Sequence, residues 1–247
     1  MDGVYRRATM DAEEPAAPEA DGPVEALGTR LEPTTLESVW PLFGLRIRSE
    51  RLVLRLPTDD EIVQLIDVAN AGIHPPDEMP FGVAWTRTPS PAFEHGFLQH
   101  HWAGRATWQP DAWALHLHVF LDDAPIGTQS LMATRFAVHR TVNTGSWLGR
   151  AFQGRGFGKE MRAAVLALAF DGLGARVAET KAYVDNAASN GVSRSLGYVE
   201  NGRARSAPEG VSRAMQRFDM TDVQWRSRPR PPVTIEGLDA CRELFGI

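Results

Sequence analysis

The sequence predicts an α/β protein of the α+β kind, a mixed and mostly antiparallel sheet with helices on its flanks. Several segments alternate apolar and polar residues with the period of two that half-buried strands need. Between them, apolar residues recur three and four positions apart behind Ser, Thr or Asn capping signals, as amphipathic helices require. Near residue 148 a short strand runs through a glycine-rich loop into a helix, an order that exposes backbone amides at one point of the fold.

Residues 1–37 are rich in Ala, Pro and Glu, carry an acidic surplus and show no periodicity, so a flexible acidic leader is expected there, with folding starting near Trp40. Leu45-Arg46-Ile47-Arg48 and Arg51-Leu52-Val53-Leu54-Arg55-Leu56 alternate as the arms of a hairpin. Thr58 with Glu61 makes a capping box, and Ile62, Leu65, Ile66 and Ala69 share the face of the helix that follows, which Gly72 ends. Between Ile73 and Arg105 lie five prolines, so loop and short helices are expected. Trp113 to Phe120 and Ile126 to Ala133 form a second hairpin around Asp122-Asp123-Ala124-Pro125. Thr144 to Leu148 is a short strand, and a helix starting near Lys159 carries the stripe Met161, Ala164, Val165 and Leu168. Val177 to Val184 is the next strand. Asn186 caps a helix that runs to Leu196, with Gly197 in the left-handed position after it. Met215 to Met220 is the last expected strand; 38–228 form one domain, and 229–247 an extension packed on it.

Composition narrows the function. The net charge of -5 and the scarcity of Lys argue against nucleic acid as the main partner. No apolar stretch approaches the roughly 20 residues of a membrane span, and no basic segment followed by an apolar core opens the chain. The single cysteine, Cys241, fits a reducing compartment, so a cytoplasmic protein is expected. His100-His101 and His116-x-His118 lack a third ligand at a catalytic spacing, and no metal is expected.

The glycine loop carries the chemistry. Glycines at 154, 156 and 158 let backbone approach a ligand closely and present several N–H groups at the positive end of a helix, which suits an anion. Arg155 and Lys159 add charge that favours a pyrophosphate. A Walker loop is excluded because Gln153 stands where Gly is needed and Glu160 where Ser or Thr would hold magnesium. A dinucleotide fingerprint is excluded because the glycines are spaced G-x-G-x-G and the preceding strands alternate.

Gln153-Gly154-Arg155-Gly156-Phe157-Gly158 resembles the acyl-CoA motif Gln/Arg-x-x-Gly-x-Gly/Ala of GNAT acyltransferases. Asn186-Ala187-Ala188-Ser189, then Ser193 and Leu196-Gly197-Tyr198, resemble the Asn-x-x-Ser and Leu-Gly-Phe/Tyr signature of the ribosomal-protein alanine acetyltransferase branch. The two motifs are separated as in that branch, and the similarity spans roughly residues 51–225. Trp40-Pro41-Leu42-Phe43, Met79-Pro80-Phe81 with Trp85-Thr86, and Gly145-Ser146-Trp147-Leu148-Gly149 also look like a subgroup for which succinyl transfer has been proposed.

The resemblance implies that two neighbouring parallel strands, Thr144 to Leu148 and Val177 to Val184, splay apart and admit the pantetheine of an acyl-CoA. Trp147 and Leu148 would pair with its amides, and residues 153 to 159 would hold its pyrophosphate, with Asn186 and Ser189 also beside the cofactor. It implies direct attack of an amine on acetyl-CoA, or succinyl-CoA, with no acyl-enzyme. Ser193 would then donate near the sulfur, and Asn186 would hydrogen-bond beside cofactor or substrate. Asp77, with Glu78 beside it, is the candidate base, Glu179 the second; a water chain could serve instead. Read alone, Asn186 is a helix cap and Ser193 a helix hydroxyl. Relatives often dimerise, so a homodimer is an open expectation. A non-catalytic acyl-CoA sensor on the same fold is the alternative from another class.

Overall fold

The computed structural model describes residues 34–247; the expected acidic leader lies outside these residues up to position 33. A short helix α1 (Leu36–Val39), capped by Thr35, leads into the hairpin β1 (Arg46–Arg48) and β2 (Val53–Arg55). Helix α2 (Asp59–Asn70) starts where the capping box predicts. Thr58 Oγ1 accepts from Glu61 N at 3.2 Å, and the Glu61 carboxylate accepts from Thr58 N at 2.8 Å.

The Pro-rich stretch then departs from expectation. Behind its loop stands a long helix α3 (Ala92–Ala106), because the prolines cluster before its first turn and leave its interior free. Strands β3 (Ala112–Leu121) and β4 (Ala124–Thr134) form the expected hairpin, with Asp122 and Asp123 both at positive φ in a two-residue turn. After a single helical turn, α4 (Phe136–His139), strand β5 (Thr141–Leu148) begins three residues earlier than its alternation suggests. Helix α5 (Phe157–Ala167) starts two residues before the expected Lys159 and widens into a π turn over Leu168–Gly172. Strand β6 (Val177–Tyr183) and helix α6 (Ala187–Leu196) follow as expected, with Gly197 at φ 95°.

Strands β7 (Val199–Ser206) and β8 (Arg213–Thr221), a short helix α7 (Asp222–Arg226) and strand β9 (Thr234–Glu236) complete the chain. Neither β7 nor β9 was expected. Both are edge strands with little buried surface, so neither carries the apolar alternation by which strands are read.

Among the described residues, nine strands lie in the order β7-β8-β6-β5-β4-β3-β2-β1-β9, and every pairing is antiparallel except β5 with β6. That one parallel pair is joined only over Thr141–Asn143 and Val177–Glu179, after which β5 and β6 part. The splay implied by the family resemblance is therefore present.

Helices cover both faces of the sheet. Alternation sends Leu115, Leu117, Leu131, Val142 and Ala178 into the main core with α5. The opposite face packs on α2 and α3, whose Ile62, Leu65, Phe93 and Phe97 form a second cluster with Trp85 and Trp147. The C-terminal turn delivers Phe245 between Trp108 and Trp113 at ring distances of 5.4 and 5.0 Å. Cys241 is buried there, its thiol pushed up to about 11 by burial. Among the described residues, no helix is long and apolar enough to cross a membrane.

Candidate active site

The glycine loop lies where β5 ends and α5 begins. Gly154 and Gly156 have φ of 72° and 85°, a left-handed geometry that lets the chain turn under the helix without a Cβ in the way. Among the described residues, the amides of Gly154, Arg155, Gly156, Phe157 and Gly158 find no acceptor, whereas Lys159 N and Glu160 N both return to Gly156 O at 3.1 Å. Gly154, Arg155 and Gly156 are exposed. Five consecutive unengaged N–H groups at the positive end of an eleven-residue helix form a ready cradle for an anion. Phe157 offers this cradle its amide alone, because its ring is 2% exposed and belongs to the core.

Charge around the cradle is positive. Arg155 and Lys159 make no ion pair among the described residues and project from the loop and the first turn. A third cation could not be seen in the sequence. Glu160 accepts from Ser49 Oγ, Arg51 N and Arg51 Nε, each at 2.8 Å, and so pins the β1–β2 turn against α5. Arg51 is thereby laid over the Phe157 ring at 4.4 Å, with Nη1 3.3 Å from Arg155 O. It sits 104 residues from its loop partner, so spacing could not reveal it. Arg51→Ala leaves the Glu160 carboxylate uncompensated beside the cradle. Coenzyme A affinity by calorimetry should drop by roughly five- to tenfold, an effect that shrinks in 0.5 M salt. Glu160→Gln in the Arg51→Ala background should restore most of the loss.

The fork supplies the other half of the site. Gly149 N donates to Ile126 O at 2.9 Å, so alternation turns the backbone of Trp147 and Gly145 toward β4 and that of Leu148, Ser146 and Thr144 toward the parted β6. Two contacts agree: Thr180 Oγ1 donates to Thr144 O at 3.2 Å, and Gln153 Nε2 to Leu148 O at 2.8 Å. Trp147, expected beside the pantetheine, turns its backbone toward β4, and its indole packs on Trp85 at 5.8 Å and Phe97 at 6.1 Å. Ser146 and Leu148 hold the free edge. Gln153 opens the loop. Its amide nitrogen is spent on Leu148 O and on Ile73 O at 2.7 Å, which makes it a brace under the loop.

Helix α6 closes the corner. Leu148 Cδ1 and Val192 Cγ2 both border Gly158. Asn186 caps the helix, its Oδ1 accepting from Ser189 N at 3.0 Å. Ser193 is 1% exposed, and its hydroxyl donates to Ser189 O at 3.1 Å; Ser189 is half-buried. Asn190, which no motif singled out, ties α6 to the end of β6 by donating to Tyr183 O at 2.9 Å and Val184 O at 3.2 Å, while its own Oδ1 is buried without a partner among the described residues. An Asn inside a helix is a weak helix former, and that was the available signal.

On the α2–α3 side, residues 73–91 lie against β6 and β8. Arg213 Nη1 donates to Met79 O at 2.6 Å, Tyr183 Oη to Phe81 O at 3.4 Å, and Arg87 pairs with Glu209 at 2.6 Å. Asp77 and Glu78 are exposed in this segment, and neither side chain has a partner among the described residues. Glu179 is half-buried. Ala178 and Thr180 face α5, so Glu179 faces the side on which that segment lies.

Four histidines fill the seam between α3 and β3. His101 and His118 rings are 4.8 Å apart, His100 and His116 4.5 Å, and Gly104 lets α3 approach because a Cβ there would meet the His116 ring. Burial, with repulsion from the neighbouring imidazoles and from Arg105, holds His101 down at about 2. Burial with Arg105 and Arg55 holds His118 at about 3, and burial with His100 holds His116 at about 4. Among the described residues, no group of three or more His, Cys, Asp and Glu is arranged to hold a metal ion.

Residues 51–199 match the family model described as the acetyltransferase (GNAT) domain. Among solved structures, the chain is similar to RimL, a ribosomal L7/L12 alpha-N-protein acetyltransferase in complex with coenzyme A, at 20% identity and TM-score 0.59, covering 70% of this chain and 95% of that one. It is similar to an acetyltransferase from Salmonella typhimurium that modifies the N-terminal serine of 50S ribosomal subunit protein L7/L12, at 20% identity and TM-score 0.57 over 70% and 96%. It is also similar to MccE, the Microcin C7 self immunity acetyltransferase, in complex with acetyl-CoA and AMP, at 19% identity and TM-score 0.55 over 70% and 93%.

Proposed function

Because this chain belongs to the GNAT acetyltransferase family, we propose that it moves an acetyl group from acetyl-CoA directly to an amine of a peptide, protein or small molecule. The observation that carries this reading is the run of unengaged amides at Gly154–Gly158, set at the end of a strand whose other edge is open. A diphosphate fits the first, and the amides of a pantetheine arm fit the second at Ser146 and Leu148. With the diphosphate at 154–158 and the arm running back along β5, the thioester lies toward the fork at Asn143 and Glu179.

Three tasks then fall to this chain's residues: taking a proton from the amine, steadying charge on the carbonyl oxygen, and returning a proton to sulfur. Ser193 is the donor for sulfur; its hydroxyl can rotate away from Ser189 O. Glu179 is the better supported base, half-buried on the side on which residues 73–91 lie, while Asp77 is exposed. Asn186 acts by fixing the start of α6.

Release of free thiol from acetyl-CoA with a panel of amines tests the reading, with succinyl-CoA as a parallel donor. Ser193→Ala should lower kcat by about ten- to a hundredfold while the KM for acetyl-CoA stays within about threefold. Glu179→Gln should do the same, and Asp77→Asn should change little. Tight coenzyme A binding with no thiol release from either donor would make the protein a binding module.

A further inference from the structure

Arg162 has no part in the reaction outlined above, yet it stands at the fork. It lies in α5, is 4% exposed, and makes no ion pair among the described residues. Its guanidinium reaches three neutral oxygens on three neighbouring strands instead. Nε donates to Gln129 Oε1 on β4 at 3.3 Å, Nη2 to Ser146 Oγ on β5 at 2.9 Å, and Nη1 to Thr180 Oγ1 on β6 at 3.2 Å.

The bridge continues beyond it. Thr180 Oγ1 donates to Thr144 O at 3.2 Å, and Thr144 Oγ1 to Glu179 O at 3.3 Å. The Tyr198 hydroxyl is buried beside Thr144 and Arg162 without completing a hydrogen bond to either. Side chains thus take over where the β5–β6 backbone ladder stops at Asn143 and Glu179. An arginine keeps its charge under all ordinary conditions, and burying one without an anion is a cost that Met161, Val165 and Leu166 beside it avoid. The place therefore asks for what a guanidinium alone can do, which is to span three acceptors at fixed separations.

We propose that Arg162 is a positioning residue: a wedge, acting through Ser146 and Thr180, that keeps β5 and β6 apart beyond the fork so that the Ser146 and Leu148 amides stay open to the acyl-CoA arm. The purpose of the open edge rests on the functional reading above, whereas the wedge itself is a property of the free protein.

Amide hydrogen exchange on the ligand-free protein tests it. The Ser146 and Leu148 amides should exchange fast in the native chain. In Arg162→Met the ladder should extend past Asn143, slowing both by about tenfold or more. Coenzyme A affinity should fall by a similar factor, and Arg162→Lys, which keeps the charge but cannot span three acceptors, should resemble Arg162→Met. Unchanged exchange at both amides, with coenzyme A affinity within twofold of the native chain, would overturn the wedge. Should Arg162→Met fail to fold, Ser146→Ala with Thr180→Val removes two of the three acceptors and is read by the same exchange: slowed amides support the wedge, and unchanged amides overturn it. A native chain that shows fast exchange but no affinity for coenzyme A would count against the functional reading and leave the wedge standing.

Discussion

Gly156→Asp is expected to weaken coenzyme A binding by about a hundredfold, roughly 3 kcal/mol, while leaving the fold in place. Gly156 is the N-cap of α5 at φ 85°, a geometry that Asp tolerates better than most residues. The new carboxylate would sit at the positive end of the helix and accept from the same N–H groups that otherwise meet the diphosphate. It would satisfy the cradle internally and repel the ligand. Strain at this φ costs about 1 kcal/mol, offset in part by the capping bond. Calorimetry with coenzyme A and a thermal melt of the same variant separate the two effects. Loss of binding with a melting temperature within a few degrees of native is the expected pair of results, and native affinity would mean that the diphosphate lies elsewhere.

Stability is expected to fall steeply as pH drops from about 6.5 toward 4. The folded chain holds His101, His118 and His116 at about 2, 3 and 4, whereas their unfolded values lie near 6.5. Between those limits the unfolded state binds protons that the folded state refuses, so folding weakens as pH falls and the loss is absent above the unfolded value. Three imidazoles give a slope of at most about 4 kcal/mol per pH unit, and up to about 6 kcal/mol by pH 5. That rivals the whole stability of an ordinary domain. Urea midpoints at pH 7, 6 and 5 should record the decline. His118→Leu, which removes a fully buried ring whose Nδ1 has no partner among the described residues, should flatten the slope by about a third; parallel curves would show that the seam is not the source.

Much of the fold could be read because its strands and helices announce themselves locally. The β3–β4 hairpin, the Thr58 and Asn186 caps and the Gly197 stop each rest on residues within a few positions of one another. Helix α3 was hidden because five prolines in one stretch read as loop, although they cluster ahead of the helix. Strands β7 and β9 were hidden because an edge strand buries little and shows no alternation.

At the candidate site, the glycine loop was legible as an anion cradle from its backbone chemistry alone. Partners brought in by the tertiary fold were not. Arg51 reaches the loop from the first hairpin through Glu160, and Arg162 meets acceptors on three strands that lie 16 to 33 residues away along the chain. Trp147 and Gln153 were placed by motif, which fixes neighbourhood but not direction. One hydrogen bond, from Gly149 to Ile126, decides which edge of β5 is open.

The central claim is that the bare amides of Gly154–Gly158 grip the diphosphate of coenzyme A. Titrating coenzyme A into isotopically labelled protein, while following backbone amide resonances, tests it most directly. The five amides from Gly154 to Gly158 should shift most, with Ser146 and Leu148 moving in the same titration. Shifts confined to other parts of the chain, with those five amides unmoved at saturation, would contradict it.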